Sequence, residues 1–452
     1  FIEGDNLDAL KLLQETYLGK VKMIFIDPPY NTGKEFIYDD NFAESADAYL
    51  KRSGQRDEDG ARLVANTESN GRYHSDWLSM MWPRLKLARN LLRDDGVIFI
   101  AIDDHEVANL KRMCDEVFGE NNFVAVLIWQ SRTSISNDQL ISLNHNSIIC
   151  FCRNVARLRF AGEPIKESEY KNSDNDPRGP WKPVPLDANK PGGQTTYEII
   201  NKNTGATFLP PNGRSWSVNR IEYDRLLLDG RIAFGRTGES APKRKLFLNE
   251  RLGKGDFKTP SSLLPSSVGT TKSGTQELMA LFGGKKLFSY PKPVALMSKL
   301  IEYAGVGADD IVVDFFAGSG STAVSASKAR IRFILVQIPE IIPDGTEQYR
   351  NAVAVGCIDL ACLAKKRLRA EVENSSFESS EVGGFRVLKI DSSTYTGTRH
   401  RPENTTQASL LDTIDHVKDD RTDEDLLFQV LLDWGVDLGL PIATETIAGR
   451  HT

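Results

Sequence analysis

Val21-Lys22-Met23-Ile24-Phe25-Ile26-Asp27-Pro28-Pro29-Tyr30 is the stretch whose reading decides the fold. Val21 to Ile26 is short, largely apolar and rich in β-favouring residues. The two prolines after Asp27 must stop it, since neither has an N–H to give to a sheet. Asp27 therefore sits where a strand ends, and in an open α/β sheet that edge is where ligands bind. The prolines also stiffen the turn, so the Asp27 carboxylate, the Pro28 carbonyl and the Tyr30 ring project from a fixed scaffold.

That trio suits a planar base bearing an amine. The carboxylate and the carbonyl can each accept a hydrogen bond from an exocyclic NH2 while the ring stacks on the base. Two fixed acceptors would also stabilise the positive charge that the nitrogen gains when it attacks. Read alone, the segment fits an ordinary strand-ending turn equally well.

With 452 residues and 40% apolar content, the chain can bury a large core and divides into two or three domains. No run approaches the 18 to 20 or so apolar residues of a membrane span, and no signal peptide is present, which fits a cytoplasmic protein. The first residue is Phe1, and Phe1 to Asp5 already reads as the end of a strand, so the natural N-terminus is expected to lie upstream. The five cysteines, Cys114, Cys150, Cys152, Cys357 and Cys362, lack zinc-site spacing and read as reduced core thiols, with no metal site. A net charge of -6 means that a nucleic-acid partner needs a local basic segment.

Before the central motif, Asp5 lies at a strand end ahead of a helix over Leu7 to Leu18, where it can cap that helix, meet a ligand, or both. After the motif, residues 31 to 75 are polar and poorly periodic and read as a lid or DNA-contacting insertion. A helix over Asp76 to Leu92 and a strand over Val97 to Ile102 follow, then a helix over Val107 to Phe118 and strands over Phe123 to Trp129 and Ser147 to Cys152. The alternation predicts a largely parallel sheet covered by helices on both faces.

From about 155 to 285, glycine and proline punctuation is frequent and basic residues gather. Arg214, Arg220, Arg236, Lys243, Arg244 and Lys245 are interleaved with Trp216, Tyr223, Phe234 and Phe247, a composition suited to phosphates and base edges. Alternation resumes with Lys292-Pro293 opening a helix. The strand Ile311 to Val313 then runs into Asp314-Phe315-Phe316-Ala317-Gly318-Ser319-Gly320, with a helix from about Thr322 to Ala329 and a strand over Phe333 to Gln337. This strand, glycine-rich turn and helix arrangement places a nucleotide-like ligand against a helix N-terminus. Val324 stands near where a third glycine would complete the dinucleotide fingerprint, which weakens a nicotinamide-dependent oxidoreductase reading. Beyond about 375 the chain is acidic and polar, ending in an amphipathic stretch over Leu426 to Leu440 that docks on the body or on a partner.

With both motifs in view, the chain resembles the β-class amino-methyltransferases of DNA. The match is closer to the modification subunits of type III restriction-modification systems, through Asp27 to Lys34, His74-Ser75-Asp76-Trp77-Leu78, Pro83 to Arg89, Asp94 to Ile100 and Asp423 to Phe428. The resemblance implies a Rossmann-like methyltransferase fold that uses S-adenosylmethionine (AdoMet), with an inserted target-recognition domain and a C-terminal helical segment. Its expected parts are a catalytic half over 1–155, target recognition over 156–285, the AdoMet-binding half over 286–370 and a dimer or partner-contact region over 371–452. By similarity, Asp27, Pro28 and Tyr30 hold the target amine on the turn that Pro29 stiffens. Asp5, Lys292, Pro293, Asp314, Phe316, Gly318 and Gly320 would border the cofactor. The ribose acid of the family falls on Gln337, with Glu340 nearby as a substitute.

The implied reaction is direct methyl transfer to the N6 amine of an adenine flipped from duplex DNA, without a covalent enzyme intermediate. A cytosine amine as acceptor, or a catalytically silent DNA-recognition subunit, are the alternatives. The implied partners are double-stranded DNA, a second copy of the chain and a helicase-nuclease restriction subunit.

Overall fold

The computed structural model describes residues 1–33, 73–137, 140–189, 195–254, 257–373, 384–394, 417–443, 446–447 and 450–451. The expected lid or insertion at 31–75 therefore lies almost wholly outside the described residues. The chain divides into two compact units, residues 1–161 with 261–452, and residues 162–260.

The larger unit is built on a nine-stranded sheet. In chain order its elements are β1 (Ile2–Glu3), α1 (Asn6–Tyr17), β2 (Val21–Ile26), α2 (Tyr73–Leu91), β3 (Leu92–Ile102), α3 (Val107–Phe118), β4 (Phe123–Trp129), β5 (Asn146–Cys152) and β6 (Leu263–Leu264). There follow α4 (Thr271–Leu281), α5 (Val294–Ala304), β7 (Ile311–Asp314), α6 (Ser321–Lys328), β8 (Arg332–Gln337), α7 (Glu347–Val353), α8 (Leu360–Glu373), β9 (Leu388–Lys389) and α9 (Asp423–Asp433). The spatial order is β6-β4-β5-β3-β2-β7-β8-β1-β9. Only β5 runs against its neighbours; every other pairing in the sheet is parallel.

Two-sided burial explains the composition of the central strands. In β2, Ile24 and Ile26 pack with Leu10, Leu13, Trp77 and Leu85 of α1 and α2, while Met23 and Phe25 face Leu296, Met297 and Leu300 of α5. All six residues of β2 are buried, which is why it reads as a near-continuous apolar run. Because β2 and β7 are adjacent, paired at Met23 with Val312 and Ile24 with Val313, Asp27 and Asp314 leave the sheet side by side. The two motifs, nearly 300 residues apart in the chain, thus share one edge.

Several boundaries differ from the sequence reading. Residues 261–285 belong to the larger unit: β6 extends its sheet, and Leu278 of α4 joins the core formed with α8. Cys357 and Cys362 are joined as a disulfide, because the turn between α7 and α8 brings their Cα atoms to 5.5 Å, so the reduced-thiol expectation holds only for Cys114, Cys150 and Cys152. The C-terminal stretch docks on its own body. Phe428, Leu431 and Leu432 of α9 pack against the α1 side of the core, and Tyr17 Oη donates to Asp437 at 2.9 Å. No helix among the described residues is long and apolar enough to cross a membrane.

The smaller unit has a three-stranded antiparallel sheet from residues 181–185, 232–233 and 243–247, two short two-stranded ladders and a helix over 220–228. Its core is Leu186, Ile199, Trp216, Tyr223, Leu226 and Ile232.

One buried cation ties α1, α2 and the end of β7 together. Arg84 is fully buried; its Nε donates to Asn6 Oδ1 at 2.5 Å, Nη1 to the Met80 carbonyl at 2.7 Å, and Nη2 pairs with Asp5 Oδ2 at 3.4 Å. Asn6 in turn donates to the Phe315 carbonyl at 2.8 Å. Removing Arg84 strands those acceptors and opens a cavity, so Arg84→Ala is expected to lower stability by roughly 2–4 kcal/mol, read as a shift in the urea midpoint.

Candidate active site at the carboxyl edge of the sheet

The turn after β2 is clamped residue by residue. The carbonyl of Pro29 accepts from Trp77 Nε1 at 2.7 Å, which singles out the Pro28 carbonyl for an incoming amine. Asn31 adopts a left-handed backbone with φ 59°, a conformation that asparagine tolerates. Its side chain donates to the Tyr73 carbonyl at 3.2 Å and to Glu106 Oε1 at 2.6 Å, and its carbonyl accepts from the Tyr73 hydroxyl. Glu106, fully buried, also bonds His74 Nδ1 at 2.5 Å and Asn109 at 2.9 Å. The quoted His74 to Leu78 stretch thus brackets the clamp, whereas nothing in the sequence singled out Glu106.

Asp27 Oδ2 forms an ion pair with the Lys292 ammonium, while Asp27 Oδ1 is buried and makes no hydrogen bond among the described residues. Lys292 Nζ lies 5.3 Å from the centroid of the Tyr30 ring and 6.0 Å from that of Trp129. Burial first, and then the Asp27 charge, hold the Tyr30 phenol well above its ordinary pKa, so Tyr30 stays neutral. Asp27 and Lys292 open into a cavity of about 260 Å³, which is also lined by Asp314, Phe316, Gly318, Ser319 and Tyr290.

The glycine-rich turn carries the second half of the site. Gly318 and Gly320 have φ of 50° and 75°, which side chains rarely adopt, so the turn requires glycine there. Asp314 is buried and accepts from Thr322 Oγ1 at 2.6 Å and from the Phe316 N–H at 3.1 Å. Desolvation nonetheless pushes its pKa up to about 7. Beneath the turn lies Arg367, which the sequence reading missed; its guanidinium is buried and donates to the Ser319 carbonyl at 3.1 Å and to Ser321 Oγ at 2.9 Å. Ser321 donates to the Lys292 carbonyl at 2.6 Å, linking the turn to the segment that Pro293 closes as the cap of α5.

The remaining cofactor candidates have structural duties of their own. Gln337 Oε1 accepts from the Gly318 N–H at 2.7 Å and its Nε2 donates to the Ile338 carbonyl at 3.1 Å, so the amide braces the turn. Glu340 is exposed past the end of β8. Asp5 caps α1, accepting from Leu7 N at 2.7 Å and Asp8 N at 3.2 Å.

The basic candidates in the smaller unit divide. Lys245 is buried and paired with Asp174 and Asp176, an internal cluster that removes it from any surface. Arg214 pairs with Asp187 at 2.5 Å and Arg220 with Asp224 at 3.2 Å. Arg236, Lys243 and Arg244 are exposed. No group of three or more potential metal ligands occurs among the described residues.

A strand-end carboxylate with a free oxygen, an aromatic face beside it and a glycine turn in the same cavity define a group-transfer enzyme of the open α/β class. Residues 21–344 match the DNA methylase family, and the chain belongs to it. The chain is 40% identical over 335 residues to the Mod subunit of the type III restriction-modification enzyme StyLTI of Salmonella typhimurium, covering 72% of this chain and 49% of that protein. It is 32% identical over 430 residues to the EcoPI Mod subunit of Escherichia phage P1, and 31% over 437 to the EcoP15I Mod subunit of Escherichia coli, each covering 86% of this chain and 64% of the relative. The chain thus spans from about half to just under two thirds of the length of these relatives.

Asp314 makes a pH prediction. Its carboxyl titrates near 7 in the fold against 3.8 ordinarily, so between those values the folded chain keeps a proton that the unfolded chain has lost. Its contribution to stability therefore falls as pH rises through that window and is flat above it. Asp314→Asn removes the slope. Relative to the parent, the variant should gain roughly 3–4 kcal/mol on going from pH 4 to pH 8, measured by urea unfolding without ligand.

Proposed function

We propose that the chain is an AdoMet-dependent DNA methyltransferase that modifies the N6 amine of a flipped adenine, acting as the modification subunit of a type III restriction-modification system. The observation that carries this reading is the Lys292 ammonium between the Asp27 carboxylate and the Tyr30 ring. The pocket holds a cationic nitrogen where an amine would become cationic as it attacks, so its electrostatics favour the charged product side over the neutral reactant.

AdoMet, when bound, supplies a methyl group on a positively charged sulfur. The residues present fit it: Gly318 and Gly320 let the backbone approach closely, Phe316 offers a ring to a cation, and Asp314 carries latent negative charge. Asp27 Oδ1 and the Pro28 carbonyl accept from the two N–H groups of the base amine, and Tyr30 stacks on its face. The new N–C bond forms as the C–S bond breaks, and the amine then sheds a proton past Asp27 to water. Lys292 must leave Asp27 Oδ2 or share the carboxylate when the base enters.

In the smaller unit, Arg236, Lys243 and Arg244 are the candidates for DNA contact, with Arg214 and Arg220 available only at the expense of their ion pairs. A second copy of the chain and a restriction subunit are the proposed protein partners, which the Mod subunit relatives support.

The test is transfer of labelled methyl from AdoMet to unmethylated genomic DNA, followed by nucleoside analysis. N6-methyladenine is expected; methylated cytosine would replace the substrate but keep the mechanism, and no transfer by the parent protein would overturn the reading. Asp27→Asn should cut turnover by on the order of 10²–10³ while AdoMet binding, measured by calorimetry, is kept.

A further inference from the structure

We propose that the loop joining β4 to β5, residues 130–145, inserts apolar side chains into the base stack of the DNA, filling the gap that a flipped base leaves. This rests on the function proposed above. The loop sits at the working edge: β4 runs toward that edge and ends at Trp129, and the reversed strand β5 starts from it at Asn146. The Trp129 ring is 6.0 Å from Lys292 Nζ, the same ammonium that pairs with Asp27. The root of the loop is therefore part of the site's wall.

The loop is a built structure. Its limbs are tied by Arg132 N to the Asn144 carbonyl at 3.1 Å and by Ser136 N to Ser142 Oγ at 2.9 Å, and Ser142 Oγ donates to Asn144 Oδ1 at 2.7 Å. Its base is anchored by Thr271 N donating to the Ser131 carbonyl at 3.0 Å and by Ser266 N donating to Gln130 Oε1 at 3.1 Å. On this framework stand Ile135, Leu140 and Ile141, with 75%, 107% and 78% of their surface exposed. Leaving such side chains in water forfeits roughly 1.5–3 kcal/mol each. Apolar side chains grouped this way at a working edge mark a surface that is covered during function.

The chemistry selects the occupant. Turning one base out of a duplex leaves an apolar slot bounded by the faces of two neighbouring pairs, and wedges of Leu and Ile are the side chains that fill such slots. The sequence of the loop sets Arg132 and His145 against a single acid, Asp138, so it presents no block of negative charge to phosphates. Leu140 and Ile141 are adjacent and follow the tip, within the arc closed by Ser136 and Ser142.

The test uses the double variant Leu140→Ala, Ile141→Ala. Wild type is first used to map a methylated site on genomic DNA, and synthetic duplexes are then made with that site fully paired or mismatched at the target base, where turning the base out costs little. The variant should bind the paired duplex about tenfold more weakly, with kcat/KM falling alike, yet bind the mismatched duplex within about twofold of wild type. AdoMet affinity should be unchanged, and Leu140→Met with Ile141→Met should restore the paired duplex. An equal loss on both duplexes, or no loss on either, overturns the wedge while leaving the methyltransferase reading intact. A shift of the variant from dimer to monomer with unchanged DNA discrimination overturns it in favour of a second copy as occupant. Failure of the wild type to methylate any DNA overturns both.

Discussion

The constraint on which the rest of the molecule depends is the arrest of β2 at Asp27. Two prolines remove two consecutive N–H groups, so the strand cannot continue, and the turn that results has little backbone freedom of its own. The remaining freedom is taken by α2 and the start of α3, through Trp77 on the Pro29 carbonyl and Tyr73 and Glu106 on Asn31. A carboxylate held this way needs no reorganisation when a charge develops beside it, which is the condition for electrostatic stabilisation to act on a transition state rather than on a bound substrate.

The sheet turns this local rigidity into a site. Because β2, β7 and β8 are parallel neighbours, their carboxyl ends bring Asp27, Asp314 and Gln337 to one edge. The smaller unit is inserted between the halves of this sheet in sequence, so interrupting the chain there does not disturb the register of β2 with β7. Lys292 enters from the segment just before α5 and reaches Asp27 across that junction. The order of motifs along the chain is thereby decoupled from their order in space.

How much of this was legible in the sequence follows from the kind of interaction involved. Strand ends marked by proline and a glycine turn are local events, so Asp27 to Tyr30 and Asp314 to Gly320 could be placed from their neighbours alone. The direction of β5 could not, since a buried apolar strand reads the same either way until its connections are known. Gln337 was read as a ligand residue because of its place after β8. In the fold its amide is spent on Gly318 and Ile338, a long-range duty that position alone does not reveal. Lys245 was counted with a basic surface, yet it neutralises Asp174 and Asp176 inside its unit; charge composition counts residues without telling which are already paired. Glu106 and Arg367 escaped notice because each acts on backbone or side chains far away in sequence.

The charges in the cavity show why such pairings matter to the site. Asp27 and Lys292 cancel, and Asp314 is held near neutrality by burial, with the Asp27 charge also opposing its ionisation. The resting cavity therefore carries little net charge and avoids the cost of a buried unpaired ion. On the proposed reading, a cationic sulfonium changes the balance: it favours ionised Asp314, and it repels the Lys292 ammonium that covers Asp27. The same Coulomb interaction that strengthens the hold on the cofactor loosens the lysine from the carboxylate that the base amine needs. Order of binding and exposure of Asp27 thus follow from one electrostatic coupling among three side chains, with no movement of the sheet.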